Sequence, residues 1–483
     1  MTNETQRDYQ YLTIRRISAV ATVLLFLVAA CNAQTKYPDT PAGNQAKGLL
    51  DAFNTGDGAK YKEFLSKNYP ERVQNADRDM GLREMTGGFE LKQIEESTPT
   101  KIVLLVQERA SDQMARLTVE VQAEGQHQIT NFNARAVPRP ANFALPHLSE
   151  GELITAVRTK LDEEAKADRF SGAALLAKNG KQVFAQAYGF ADREKKISNQ
   201  LKTRFRLGSM NKMFTAVATL QLVQAGKLDL KTPFGKYLPD YPNQDLASKV
   251  TIEQLLTHTG GTGDIFGPEF ASHRLELKSL QDYVNLYGKR GGEFDPGSQW
   301  RYSNYGFLLL GVLIEKVSGQ SYYDYVRDHI FKPAGMTGTA SEPEDQAVSD
   351  RSVGYTKAGG NGLQPNTDTL PFRGTSAGGG YSTVEDLFRF ATALQTHKLL
   401  DAQHTELLTT GKVDTGRGKY AFGIQDDVFN GTRCFGHGGG APGMNGDLKI
   451  CPGPGYVIVV LANMDPPAAS RISDFVTNRL PTK

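Results

Sequence analysis

Ser209 and Lys212, in the run Gly208-Ser209-Met210-Asn211-Lys212, are the pair of residues with the clearest chemical meaning in this chain. Their spacing is close to one helical turn, so both side chains share a face. A serine hydroxyl is a weak nucleophile until a neighbouring base takes its proton. A lysine serves as that base when burial lowers its pKa. The residues from Phe214 to Leu222 are largely apolar, which predicts a buried helix and a desolvated amine. Gly226 is placed to stop that helix. The start of the helix adds partial positive charge that favours a developing oxyanion. Serine and lysine are common residues, and a helix-capping serine beside a solvated lysine has the same spacing.

A tyrosine two residues before an asparagine would complete the proton traffic, and three such pairs exist. Tyr283-Val284-Asn285 falls in an amphipathic helical pattern. Tyr241-Pro242-Asn243 lies in a proline-containing loop soon after the nucleophile helix. Tyr302-Ser303-Asn304 follows the sharp turn Asp295-Pro296-Gly297 and precedes an apolar helix from Phe307 to Ile314. A tyrosine on such a loop tip can face a cleft. Tyr302 is therefore assigned as a general acid/base shared with Lys212, and Asn304 as a polar arm for the substrate. A third element is His437-Gly438-Gly439-Gly440, on a strand-like segment that leads into Ala441-Pro442-Gly443. Glycines at 439 and 440 would let a substrate backbone approach. A backbone N–H there, with that of Ser209, would form an oxyanion hole. Glycines in a strand also mark bulges or turns.

Taken in order and at wide spacing, Ser209-x-x-Lys212, Tyr302-x-Asn304 and His437-x-Gly439 resemble the three motifs of the class C β-lactamase and penicillin-binding protein superfamily. Connecting segments agree: Thr251-Ile252-Glu253-Gln254-Leu255-Leu256-Thr257-His258-Thr259, Phe294-Asp295-Pro296-Gly297, Trp300, Gly335-Met336-Thr337, and Gly378-Gly379-Gly380-Tyr381-Ser382-Thr383. Gly260 stands where serine is usual. The resemblance covers roughly Leu148 to Asn463. It implies an acyl-enzyme mechanism without a cofactor, and a structural role for His258. The superfamily includes DD-peptidases, D-amino-acid peptidases, esterases and true β-lactamases. Class C β-lactamases usually carry lysine where this chain has His437, so a small amide, peptide or ester bearing a carboxylate is the expected substrate. His437 would orient that carboxylate or the Tyr302 hydroxyl, and an unperturbed imidazole changes charge near neutral pH. Arg373 or Arg417 is a candidate carboxylate partner, or a solvated surface arginine. A true β-lactamase is one alternative. A pseudoenzyme that recognises penicillin or cell-wall fragments is another.

The elements that must position these groups can be sketched from pattern. The chain has 483 residues and a formal net charge of +2, with charges of both signs interspersed. That gives no electrostatic footprint for nucleic acid. Arg15 and Arg16 precede a short apolar run, Ile17 to Ala30, which suits a signal peptide over residues 1–30. Val28-Ala29-Ala30-Cys31 resembles a bacterial lipobox, implying a lipidated Cys31, a membrane anchor and a periplasmic or membrane-anchored protein; ordinary cleavage near Ala33 is the alternative. Residues 31–45 read as a tether. Residues 46–137 read as a small α+β domain, with helical faces at Ala46, Leu49, Leu50 and Phe53 and at Tyr61, Phe64 and Leu65, then strands. It resembles the cone-like fold of the nuclear transport factor 2 superfamily. Pro138, Pro140 and Pro146 mark a linker over 138–147. Residues 148–483 read as an α+β hydrolase domain: antiparallel strands and flanking helices at both ends, and a helical lobe between. Asn179-Gly180 is a hairpin signal. Cys434 and Cys451 flank a glycine-rich turn and form either a disulfide or two buried thiols. No His/Cys/Asp spacing suits a metal, and Gly378 to Gly380 lacks the lysine of a phosphate loop.

Overall fold

The structure is a computed structural model that describes residues 36–358 and 362–482. The segment expected to be a signal peptide and the expected lipidation site Cys31 lie outside the described residues. Among the described residues no helix is long and apolar enough to cross a membrane.

The small domain opens with helix α1, Pro41–Asn54. It starts before the expected end of the tether because Thr40 caps the Gly43 N–H at 3.1 Å and Pro41 presets the first helical φ. The face carrying Ala46, Leu49, Leu50 and Phe53 is buried, as the spacing predicts. Helix α2, Gly58–Asn68, buries Tyr61 and Leu65. Helix α3, Ala76–Thr86, was not legible: it is charged, carries Gly81, and buries only Ala76, Asp79 and Thr86. Four strands follow, β1 (Phe89–Ser97), β2 (Lys101–Glu108), β3 (Met114–Val121) and β4 (Ile129–Val137). They pair antiparallel in sequence order. Register shifts in β1 bend the sheet, which packs against α1.

The large domain is built on an eight-stranded antiparallel sheet. Helix α4, Glu150–Lys166, leads into β5 (Gly172–Lys178) and β6 (Lys181–Tyr188). Asn179 and Gly180 both have positive φ, 48° and 75°, so the predicted two-residue hairpin turn forms. Helix α5, Asn211–Gln224, follows the nucleophile, and helix α6, Asn304–Ser318, packs against it. Helix α7, Val384–Gln395, leaves the lobe. The chain then returns as β7 (Val413–Asp414), β8 (Lys419–Tyr420), β9 (Gln425–Phe429), β10 (Thr432–Ala441), β11 (Met444–Cys451) and β12 (Tyr456–Ala462), and closes with α8 (Ala468–Thr477). The sheet order is β7-β8-β9-β10-β11-β12-β5-β6.

Strand β12 explains how the layers hold together. Every residue in it is buried. Val457, Val459 and Leu461 face the cluster shared with α5, α6 and the lobe. Tyr456, Ile458 and Val460 face α4 and α8 through Leu153, Val157, Leu161, Ile472 and Val476. Strict alternation sends successive side chains into two cores, so helices must cover both faces. Each fully buried aliphatic side chain contributes about 1.5–3 kcal/mol. Cys434 and Cys451 stand opposite each other on β10 and β11 and are joined as a disulfide. The small domain docks along α8: Arg479 pairs with Asp112, and Arg471 donates to the Met85 carbonyl.

Candidate active site

Ser209 sits in a short 3₁₀ turn, Gly208–Met210, that runs into α5. Gly208 has φ 52°, and a side chain there would meet the Gly440 nitrogen at 2.9 Å. Two glycine-rich segments grip this turn from opposite sides. Gly379 donates to the Gly208 carbonyl at 3.0 Å, and Leu207 donates to the Gly380 carbonyl at 2.7 Å. On the other side a Cβ on Gly439 would fall 1.8 Å from the Leu207 carbonyl oxygen. The expectation that Gly439 makes room for substrate is thereby corrected: the nucleophile's own backbone occupies that space. Gly440 is exposed and Ser209 half-buried, so both open on the cleft. The segment from His437 to Ala441 extends past the end of β9 and pairs only with β11.

Lys212 is completely buried. Its Nζ donates to Asn304 Oδ1 at 2.7 Å and to the Ala377 carbonyl at 2.6 Å, and lies 3.2 Å from Ser209 Oγ. Burial pushes its pKa down to about 7, partly opposed by the charge of Asp264. A neutral amine has two N–H bonds and one lone pair. The two fixed acceptors take the N–H bonds, so the lone pair is left for the Ser209 proton.

Of the three tyrosine–asparagine pairs, only Tyr302-Ser303-Asn304 joins Ser209. Lys212 Nζ lies 4.7 Å from the Tyr302 ring centre, and the Ser209 side chain acts on the Tyr302 phenol, favouring its charged form against burial. Burial pushes the phenol's pKa up, so it is protonated at neutral pH. Tyr241 instead bonds to Tyr305 in the core, and Asn243 caps the helix Gln244–Lys249. Tyr283 is core, and Asn285 accepts from Gln281.

Asn304 is not a free arm. Its Nδ2 donates to both carboxylate oxygens of Asp264, at 2.9 and 3.2 Å, while its oxygen holds Lys212. Both ends are occupied, which fixes the amide and makes Asn304 a clamp for the lysine. Asp264 was missed in the sequence; its one signal is an acidic residue directly after Gly260-Gly261-Thr262-Gly263.

His437 is buried, and its charge does not change near neutral pH. Burial, reinforced by Lys212, pushes its pKa down to about 3. Its Nε2 meets the Tyr420 hydroxyl at 3.0 Å and its Nδ1 the Gly438 carbonyl at 2.5 Å. It neither carries a charge nor bonds to Tyr302; the rings lie 6.4 Å apart. His258, expected to be structural, is buried within this cluster, with its ring 4.3 Å from that of Tyr302. Arg373 donates to the Ser341 carbonyl and covers the Tyr323 ring at 3.4 Å. Arg417 lies on the exposed turn between β7 and β8. Neither guanidinium reaches the cluster. Among the described residues no group of His, Cys, Asp and Glu could hold a metal.

Comparison with known proteins gives the same answer as the geometry. The Beta-lactamase family model matches residues 157–481. Putative penicillin-binding protein PbpX of Bacillus subtilis is 33% identical over 276 residues, covering 56% of this chain and 68% of that protein. Penicillin-binding protein 4* of the same organism is 31% identical over 307 residues, covering 59% and 66%. This chain thus spans about two thirds of the length of each. Among solved structures, a penicillin binding protein from Bacillus halodurans superposes with TM-score 0.61 at 32% identity, covering 66% of this chain and 98% of that one. A D-stereospecific amidohydrolase from Streptomyces sp. gives 0.56 at 28% identity, covering 66% and 97%. The chain belongs to the beta-lactamase family and is a serine hydrolase of the superfamily it shares with the penicillin-binding proteins.

Proposed function

We propose that this protein is an exported acyl-enzyme hydrolase of uncharged or amine-bearing amides, peptides and esters, with Ser209 as nucleophile and Lys212 as base. The observation that carries it is the buried lysine, poised near 7 with its two N–H bonds occupied beside Ser209. Lys212 takes the Ser209 proton as Oγ attacks the carbonyl carbon. The N–H groups of Ser209 and Gly440 receive the oxyanion. The C–N or C–O bond then breaks, and the leaving atom takes a proton from Tyr302, which is resupplied from the Lys212 ammonium. Water reverses these steps to free the acid, and no cofactor enters.

The charges near Ser209 narrow the substrate. His258 and His437 are held neutral by burial, Tyr302 and Tyr420 are neutral phenols, and the fixed charge acting on Lys212 and Tyr302 is the carboxylate of Asp264. Among the described residues, the cation acting on this cluster is Lys212, whose charge is lost when it acts as base. That favours D-aminoacyl amides and simple esters over β-lactams and peptides ending in a carboxylate, and the likeness to a D-stereospecific amidohydrolase points the same way. The test is turnover of a matched series: a neutral chromogenic ester, D- and L-aminoacyl anilides, and a chromogenic cephalosporin. Fast turnover of the first two classes with slow turnover of the cephalosporin is expected. Preference for the carboxylate-bearing compound would overturn the substrate class. Stoichiometric labelling without turnover of any would make the chain a binding protein.

A further inference from the structure

Three buried titratable groups beside the site have no part in the proton traffic above, His258, Tyr420 and His437. They belong to a single hydrogen-bonded chain. The Ser303 backbone N–H lies 3.1 Å from His258 Nδ1, His258 Nε2 lies 3.0 Å from the Tyr420 hydroxyl, that hydroxyl lies 3.0 Å from His437 Nε2, and His437 Nδ1 lies 2.5 Å from the Gly438 carbonyl. Both ends have fixed polarity, since a backbone amide only donates and a carbonyl only accepts. His258 Nδ1 must therefore accept, so its proton sits on Nε2 and is given to the Tyr420 oxygen. Tyr420 must give its own proton to His437 Nε2, and His437 must carry its proton on Nδ1 for Gly438. One arrangement of protons satisfies all four contacts. A second proton on His258 would oppose the Ser303 N–H. A second proton on His437 would leave the Tyr420 proton without an acceptor.

The chain spans the site. Ser303 follows Tyr302, and the His258 ring lies against the Tyr302 ring at 4.3 Å. At the far end Gly438 adjoins Gly439, which touches the backbone leading to Ser209. His258 is also a non-glycine residue held at φ 60°. The titratable groups facing this chain are Lys212 on α5, Tyr302 on its loop and the three members themselves.

We infer that His258 and Tyr420 are positioning residues that lock His437 as the neutral Nδ1–H tautomer and tie the Tyr302 loop to β10. The consequence for catalysis rests on the reading of Ser209, Lys212 and Tyr302 given above. With the lock in place His258, Tyr420 and His437 stay uncharged across the acid and neutral range, and Tyr302 is braced on its ring face. With it broken, Tyr302 misaligns.

The test is nitrogen-15 NMR of histidine-labelled full chain, with the two signals identified by their loss in His258→Gln and His437→Gln. His258 should show the Nε2–H tautomer and His437 the Nδ1–H tautomer, both unchanged from about pH 5 to about pH 8. Tyr420→Phe keeps the ring and removes the hydroxyl. It should release the His437 tautomer and lower kcat about 10- to 100-fold, with KM little changed. A wild-type His437 in the Nε2–H form, or either ring titrating in that range, overturns the inference. So does a Tyr420→Phe protein that loses kcat while its His437 signal stays put, because packing alone would then explain the loss. The wild-type tautomers decide the matter even if Tyr420→Phe does not fold. They need no substrate, so a protein without turnover would count against the proposed function and leave the lock standing.

Discussion

Asp79 in the small domain and Lys212 in the large one are both charged side chains removed from water, with exposures of 5% and 0%. Asp79 is fully paired: Arg72 grips it through two bonds of 2.8 Å, and the Tyr61 hydroxyl adds a third at 2.9 Å. Lys212 touches only neutral oxygens, and its nearest carboxylate, Asp264, is one amide away. A buried ion costs several kcal/mol unless a counter-ion offsets it. The small domain offsets that cost and gains a fixed helix pair. The large domain leaves it in place and gains an amine poised to exchange a proton. A paired buried charge supports structure, whereas an unpaired one beside a nucleophile marks chemistry.

The comparison is broken most sharply by removing each charge. Lys212→Met should lower kcat/KM by about 10⁴-fold or more, because groups acting as one unit fail together. Steady-state kinetics alongside a thermal melt reads this, and the melt should show a folded protein. Asp79→Asn should do the opposite. It strands Arg72 and should cost about 3–5 kcal/mol of stability in denaturant unfolding, with kcat unchanged. A large loss of activity from Asp79→Asn, or of folding from Lys212→Met, would erase the distinction.

A smaller effect sharpens it through pH. The Lys212 pKa is lowered from 10.5, so the free amine exists above about 7. Activity, followed as kcat/KM, should rise with pH through about 7 and be lost below it. Asp264 favours the charged form of Lys212, so Asp264→Asn should move that rise to lower pH. Movement in the other direction would mean that the lysine does not set the profile. The smallest effect belongs to the seam between the regions. Deleting residues 45–137 removes no group assigned to the chemistry, so turnover of a small ester should persist. It also uncovers Arg471 and separates Arg479 from Asp112, so Tm should fall, by roughly 2–4 °C for each kcal/mol lost.

How much could be read beforehand follows from the range of the interactions. Ser209 and Lys212 are one turn apart, and the Asn179–Gly180 hairpin is fixed by two residues, so both were legible. Tyr302 could be chosen among three candidates because its loop and helix flanks differ. Asp264 could not, because its role depends on meeting Asn304, and neither residue signals the other locally. The chain through Tyr420 joins residues more than a hundred positions apart, as the 162-residue separation of His258 and Tyr420 shows. The charge state of His437 depends on burial that the sheet creates, so its motif alone suggested a titrating group that the fold forbids. Helix α3 failed for the opposite reason: it is local, but charges spread around it and a glycine leave no apolar stripe to reveal it.

The most direct measurement is the rate at which a fluorescent alkyl phosphonate forms a covalent adduct, followed across pH and mapped by mass spectrometry of the digested protein. The predicted result is a single adduct on the peptide carrying Ser209, absent from Ser209→Ala, forming at a rate that rises with pH through about 7. An adduct that persists in Ser209→Ala, or a rate that does not change across that range, would contradict the assignment of Ser209 and its buried lysine as the reacting pair.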